Sequence, residues 1–129
     1  MASHRGYVTS RPLAENEAAA LAFMLSVDDP RIEPLRKQAE FATVNWECTC
    51  GCATINFTID RSRASAATGL CSPVIDAYRR APVSDDEFCE LILFLKDGWL
   101  SSLELVWYGA KPIAEFPPPT DFEPPWLHC

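Results

Sequence analysis

Apolar residues recur along this chain at two different periods, and the change falls just after residue 41. Before it, Ala14, Ala18, Leu21 and Leu25 repeat at helical spacing. Ser10 offers a capping hydroxyl, Pro12 suits a first helical turn, and Glu15 and Glu17 favour the positive end of the helix dipole. The pattern predicts a helix from Pro12 to Val27, ahead of which residues 1–11 read as a frayed N-terminus. Asp28-Asp29-Pro30 stops that helix. A second, shorter one then runs to Glu40, with Pro34 in its first turn and Ile32, Leu35 and Ala39 on one face.

From Thr43 onward the period is two. Val44, Trp46 and Cys48 alternate with Thr43, Asn45 and Glu47, and Ala53, Ile55, Phe57 and Ile59 alternate with Thr54, Asn56, Thr58 and Asp60. Two strands therefore flank Cys48 to Cys52, which reads as the turn of a β-hairpin with Gly51 taking a positive φ. After a long connection, Ser72-Pro73 predicts a short helix through Val74, Ile75 and Tyr78. Phe88 to Lys96 is apolar on both faces apart from Glu90, as in a central strand. Asp97-Gly98 is a hairpin turn, and Trp99 to Tyr108 returns with Leu103, Leu105 and Trp107 on one face and Glu104 on the other. The tail, residues 116–129, holds five prolines and is expected to lie outside any sheet, pinned by Phe116, Phe122 and Trp126.

These elements predict an α+β fold in one domain spanning 1–129. Two N-terminal helices pack on a four-stranded antiparallel sheet, with a Pro-rich extended C-terminal tail. Hydrophobic residues make up 48% of the chain, enough for a core at this length. The 11 basic residues against 18 acidic ones give a net charge of −7. That balance excludes nucleic acid and anionic membrane as natural partners, since both reward Lys and Arg, and it suits a basic protein partner. Residues 1–11 contain no apolar segment of the signal-peptide kind, which predicts a cytoplasmic protein whose thiols stay reduced.

Candidate chemistry concentrates in Cys48-Thr49-Cys50-Gly51-Cys52, three thiols inside one turn. Zinc takes thiolate and imidazole ligands in tetrahedral geometry, so Cys48, Cys50 and Cys52 can supply up to three ligands. A fourth must come from afar: Cys71, Cys89, or the His128-Cys129 pair, of which the last is the most suggestive. Cys89 lies mid-strand and reads as core. The alternative reading is that the turn thiols are packing groups, small and apolar, or a redox pair with a lowered pKa. Nucleophilic catalysis lacks a base, because His4 and His128 both lie near chain ends. No Gly-rich phosphate loop is present. No catalytic or cofactor-binding residue is assigned.

Cys-x-Cys-Gly with a later His-Cys resembles the small zinc tail of bacterial protein-translocase motors, although here the two halves stand far apart, at 48–52 and 128–129. The Cys-x-Cys-Gly-Cys turn, followed by Asp97-Gly98-Trp99-Leu100, Leu103-Glu104 and Tyr108-Gly109, resembles a group of small uncharacterised bacterial proteins of the high-GC Gram-positive type. That resemblance covers residues 43 to 116 and implies a bacterial cytosolic setting without an activity. The expected function is a non-enzymatic protein-binding module using the acidic surface and the tail aromatics Trp126 and Phe122. The alternative is a zinc protein built on Cys48, Cys50 and Cys52, closed by His128 and Cys129.

Overall fold

The computed structural model describes residues 6–81, 83–84 and 86–129. Its order of elements is β1 (Gly6–Arg11), α1 (Glu15–Met24), a 3₁₀ turn (Pro30–Ile32), α2 (Glu33–Ala39), β2 (Ala42–Glu47), β3 (Ile55–Ile59), β4 (Ile75–Tyr78), β5 (Cys89–Lys96), β6 (Trp99–Trp107), a second 3₁₀ turn (Pro119–Asp121) and β7 (Trp126–Leu127). The strands form one seven-stranded sheet in the order β1-β2-β3-β6-β5-β4-β7. Every neighbouring pair is antiparallel.

The α+β class holds, but the sheet is larger than the four strands expected. The four expected strands are its contiguous centre, β2-β3-β6-β5, and the three additional ones are its edges. Each addition corrects an expectation for a physical reason. Residues 6–11 are not frayed; they pair with β2, while residues 1–5 lie outside the described residues. Ser72-Pro73 does not open a helix. Val74 N–H bonds the Leu93 carbonyl at 2.8 Å and Leu95 N–H bonds Ser72 Oγ at 2.9 Å, so this segment is already aligned on β5. The tail does extend the sheet, through the two residues that follow Pro125 and still carry N–H groups: Trp126 and Leu127 pair with Asp76 and Ile75.

Helix α1 begins later than expected because Ser10 and Arg11 belong to β1. The first turn is closed instead by Glu17, whose Oε1 accepts from Ala14 N–H at 2.7 Å and from Arg11 Nη1 at 2.8 Å. Its buried stripe is Glu17, Ala20, Leu21 and Met24; Ala18 faces solvent. In α2 the expected Pro34 lies in the first turn, and Ile32 and Leu35 are buried.

Helix α1 packs on β4 and α2 on β6. The core between helices and sheet holds Leu21, Met24, Ile32 and Leu35 against Val44, Ile55, Ile75, Leu91, Leu93 and Leu103. A bulge at Ser101 shifts the β5–β6 register between Phe94↔Ser102 and Leu95↔Leu100, so Leu100 and Leu103 both reach this core. Asp97 and Gly98 both have positive φ, 53° and 83°, as the tight β5–β6 turn requires. The tail is docked: Phe116 and Phe122 are buried, and the Phe122 ring lies 6.0 Å from that of Phe23.

Candidate metal centre

Strands β2 and β3 are joined by seven residues, Cys48 to Thr54, a longer connection than a two-residue hairpin loop. The loop is held at several points. Cys48 N–H donates to the Thr54 carbonyl at 3.0 Å, Gly51 N–H donates to the Cys48 carbonyl at 3.3 Å, and Gly51 takes the expected positive φ, 95°. Ala53 N–H reaches the Ile113 carbonyl at 2.9 Å, tying the loop to the segment that precedes the tail. Thr54 Oγ1 accepts from Leu105 N–H at 2.9 Å, so a side chain completes the β3–β6 junction. Loop closure of this kind orders backbone that would otherwise sample many states.

Within this frame the three sulfurs converge, all lying within 4.8 Å of one another. Cys48 Sγ is 2.9 Å from Cys50 Sγ, and Cys52 Sγ donates to Thr54 Oγ1 at 3.3 Å. Exposure falls from Cys50, exposed, through Cys48, half-buried, to Cys52, buried. An open pocket of 340 Å³ adjoins them, lined also by Trp46, Glu104, Val106 and Trp107.

The thiols are not equivalent. Burial pushes Cys48 up to about 12, helped by its hydrogen bond to Cys50. Burial also opposes ionisation of Cys50. That effect is outweighed by hydrogen bonds from the Cys48 and Cys52 side chains, from Cys52 N–H at 3.3 Å and from the Trp107 indole, so its pKa falls below the usual thiol value. Charge therefore settles on Cys50, with Cys48 as proton donor to it.

The other expected ligands lie elsewhere. Cys129 forms a disulfide with Cys71, and His128 Nε2 lies 2.7 Å from Asp76 Oδ1. Both sit beside β7, the far edge of the sheet, and neither joins the sulfur cluster. The expectation that every thiol is reduced fails at Cys71 and Cys129. Cys89 is core as expected, fully buried, with burial pushing its thiol up to about 11. Glu104, the charged residue on β6, borders the thiol pocket.

The chain matches no protein-family model, no curated protein and no solved structure. No helix among the described residues is long and apolar enough to cross a membrane.

Sequence reasoning passed over a second group on the sheet: Asp76, Tyr78, Glu90 and Tyr108, beside Trp126 and His128. Its one available signal was Glu90, the single charged residue inside an otherwise apolar strand. Asp76 is hidden from such reasoning because Ser72-Pro73 predicts a helix through Val74, Ile75 and Tyr78.

Proposed function

We propose that this chain binds a thiophilic metal ion, zinc in the first instance, through Cys48, Cys50 and Cys52. The observation that carries this reading is the convergence of three sulfurs within 4.8 Å on one braced turn. Zinc–sulfur bonds of about 2.3 Å in tetrahedral geometry place sulfurs roughly 3.8 Å apart, so three thiolates need only small rotations to face one ion. The alternative of inert packing thiols does not account for Cys50, which is exposed and carries a lowered pKa. With His128 and Cys129 engaged elsewhere, an ion held by these three sulfurs would keep a fourth position for water or a small exogenous ligand, and an open pocket adjoins the sulfurs. That is the pattern of reactive or sensing sites rather than closed structural ones.

Binding must displace the proton that Cys48 holds, so affinity rises with pH and each ion bound releases protons. The test is metal content after purification without chelator, with cobalt substitution as a second readout. Near one equivalent of zinc and a thiolate-to-cobalt charge-transfer band are expected. Cys48→Ser, Cys50→Ser and Cys52→Ser should each weaken binding by about 100-fold or more, a loss of about 3 kcal/mol. His128→Ala should leave it unchanged. Absence of both metal and charge-transfer band in the reduced wild-type protein would overturn the reading.

A further inference from the structure

Strand β4 pairs with β5 and β7 in a register that sets Tyr78 opposite Glu90 and Asp76 opposite Trp126. Side chains two apart share a face, so Asp76, Tyr78, Glu90 and Trp126 all stand on one side of the sheet. Ile75, Ala77, Leu91 and Leu93 enter the core on the other side, so this face points away from the helices. Tyr108, just beyond β6, closes the group by placing its hydroxyl 3.3 Å from Glu90 Oε1. The large apolar side chains exposed among the described residues are Tyr78, Tyr108 and Trp126, at 40%, 56% and 42%, and all three are in this group. Trp126 stacks near Tyr78 with ring centroids 6.5 Å apart and lies 4.6 Å from the His128 ring.

Two carboxyls stand among these rings. Asp76 is 5% exposed, and the Glu90 carboxyl lies against it. Burial, then the hydrogen bond and charge of Asp76, push Glu90 up to about 7, while the Tyr108 and Tyr78 hydroxyls pull it back. His128, on Asp76, is the basic side chain that meets the pair; among the described residues no Lys or Arg is paired with either carboxyl. Two crowded carboxyls beneath exposed aromatic faces are an arrangement that costs free energy as it stands and is relieved by a cation. A guanidinium suits it best, since it stacks flat on Trp and Tyr and meets carboxylates two-pronged.

We propose that this face docks an arginine-bearing segment of a basic protein, with Trp126, Tyr78 and Tyr108 receiving the guanidinium groups and Glu90, the more accessible of the two carboxyls, pairing with them. The net charge of −7 complements such a partner and speeds its approach. The tail contributes directly. Trp126 and His128 are held in place by the Cys71–Cys129 disulfide and by Arg31 Nη2, which donates to the Cys129 carbonyl at 2.8 Å. Cation binding requires Glu90 ionised, so affinity increases as pH rises from 6 to 8. The groups on the face of Glu90 are Asp76 and Tyr78 on β4, Glu104 on β6, two residues from its partner Val106, and Tyr108 after β6, with His128 behind Asp76.

The test is fluorescence anisotropy with a labelled peptide of alternating arginine and glycine, in moderate salt that screens diffuse charge. Saturable binding is expected, weakened by about 5-fold or more in Trp126→Ala and in Glu90→Gln. Tyr108→Ala, outside the strands, gives the same loss should Trp126→Ala fail to fold. Lowering the pH to 6 weakens wild type and not Glu90→Gln. A citrulline peptide does not bind, and Cys50→Ser, which tests the metal reading, leaves peptide binding intact. Absence of saturable binding would sink the proposal. So would wild-type affinity in Glu90→Gln and Tyr108→Ala, or an equal loss in the distant surface variant Glu15→Gln, which signals diffuse charge.

Discussion

Cys50 and Cys89 show how position decides what one residue type does. Cys50 is exposed, and hydrogen bonds from Cys48, Cys52 and Trp107 favour its thiolate; Cys89 is fully buried with its thiol pushed up to about 11. The thiolate is the reacting form, so in metal-free protein at pH 7 brief treatment with iodoacetamide should label Cys50 first and leave Cys89 untouched until urea is added. Peptide mapping by mass spectrometry reads the order, and labelling of Cys48 ahead of Cys50 would contradict the assignment of charge between them. That the turn held potential chemistry was legible in the spacing Cys48, Cys50, Cys52. Which sulfur carries the charge was not. It depends on hydrogen bonds from Cys48 first, then from Cys52 and Trp107, brought there by a loop geometry that no local pattern encodes. The pairing of Cys71 with Cys129 was equally invisible, since it needs β4 and β7 to be neighbours.

Among elements, the junction of α2 with the β5–β6 hairpin rests on a side chain that periodicity gave no reason to notice. Gln38 is fully buried. Its amide nitrogen donates to the Ser65 carbonyl at 2.8 Å and the Gly98 carbonyl at 3.0 Å, and its oxygen accepts from Leu100 N–H at 2.8 Å. Gln38→Leu keeps the bulk and orphans a buried N–H and a carbonyl, which should cost about 2–4 kcal/mol. The urea midpoint should fall while the slope of the transition stays unchanged. The hairpin tip is equally intolerant, because a Cβ on Gly98 would clash with the Ala67 carbonyl oxygen. Strands long enough to show alternation or sustained apolar character were legible: β2, β3, β5 and β6. The edges were not. Ile75–Tyr78 offers four residues and no clean alternation, and Trp126–Leu127 offers two after a pair of prolines. Such strands exist because a neighbouring ladder supplies their partners, which is a tertiary fact.

For the whole molecule, the Cys71–Cys129 disulfide closes a loop across a sequence separation of 58 and fixes the outermost strand to the body. Chain-entropy reasoning values a cross-link of that span at about 4 kcal/mol, so Cys71→Ala with Cys129→Ala, or reduction, should lower the thermal midpoint markedly. Calorimetry with and without reductant measures it; an unchanged midpoint would show that the cross-link contributes nothing to global stability. The sheet's order carries a further consequence. Its centre consists of two hairpins, β2–β3 and β5–β6, each closed by a short connection, and one long-range seam, β3–β6. Its edges pair across much longer stretches of chain, Gly6 with Glu47 on one side and Asp76 with Trp126 on the other. Contacts close in sequence demand the least entropy, so the two hairpins are expected to form first, ahead of the β3–β6 seam and of both rims. Substitutions in β1 or β7 then accelerate unfolding while leaving the folding rate nearly untouched, whereas those in the two hairpins slow folding itself.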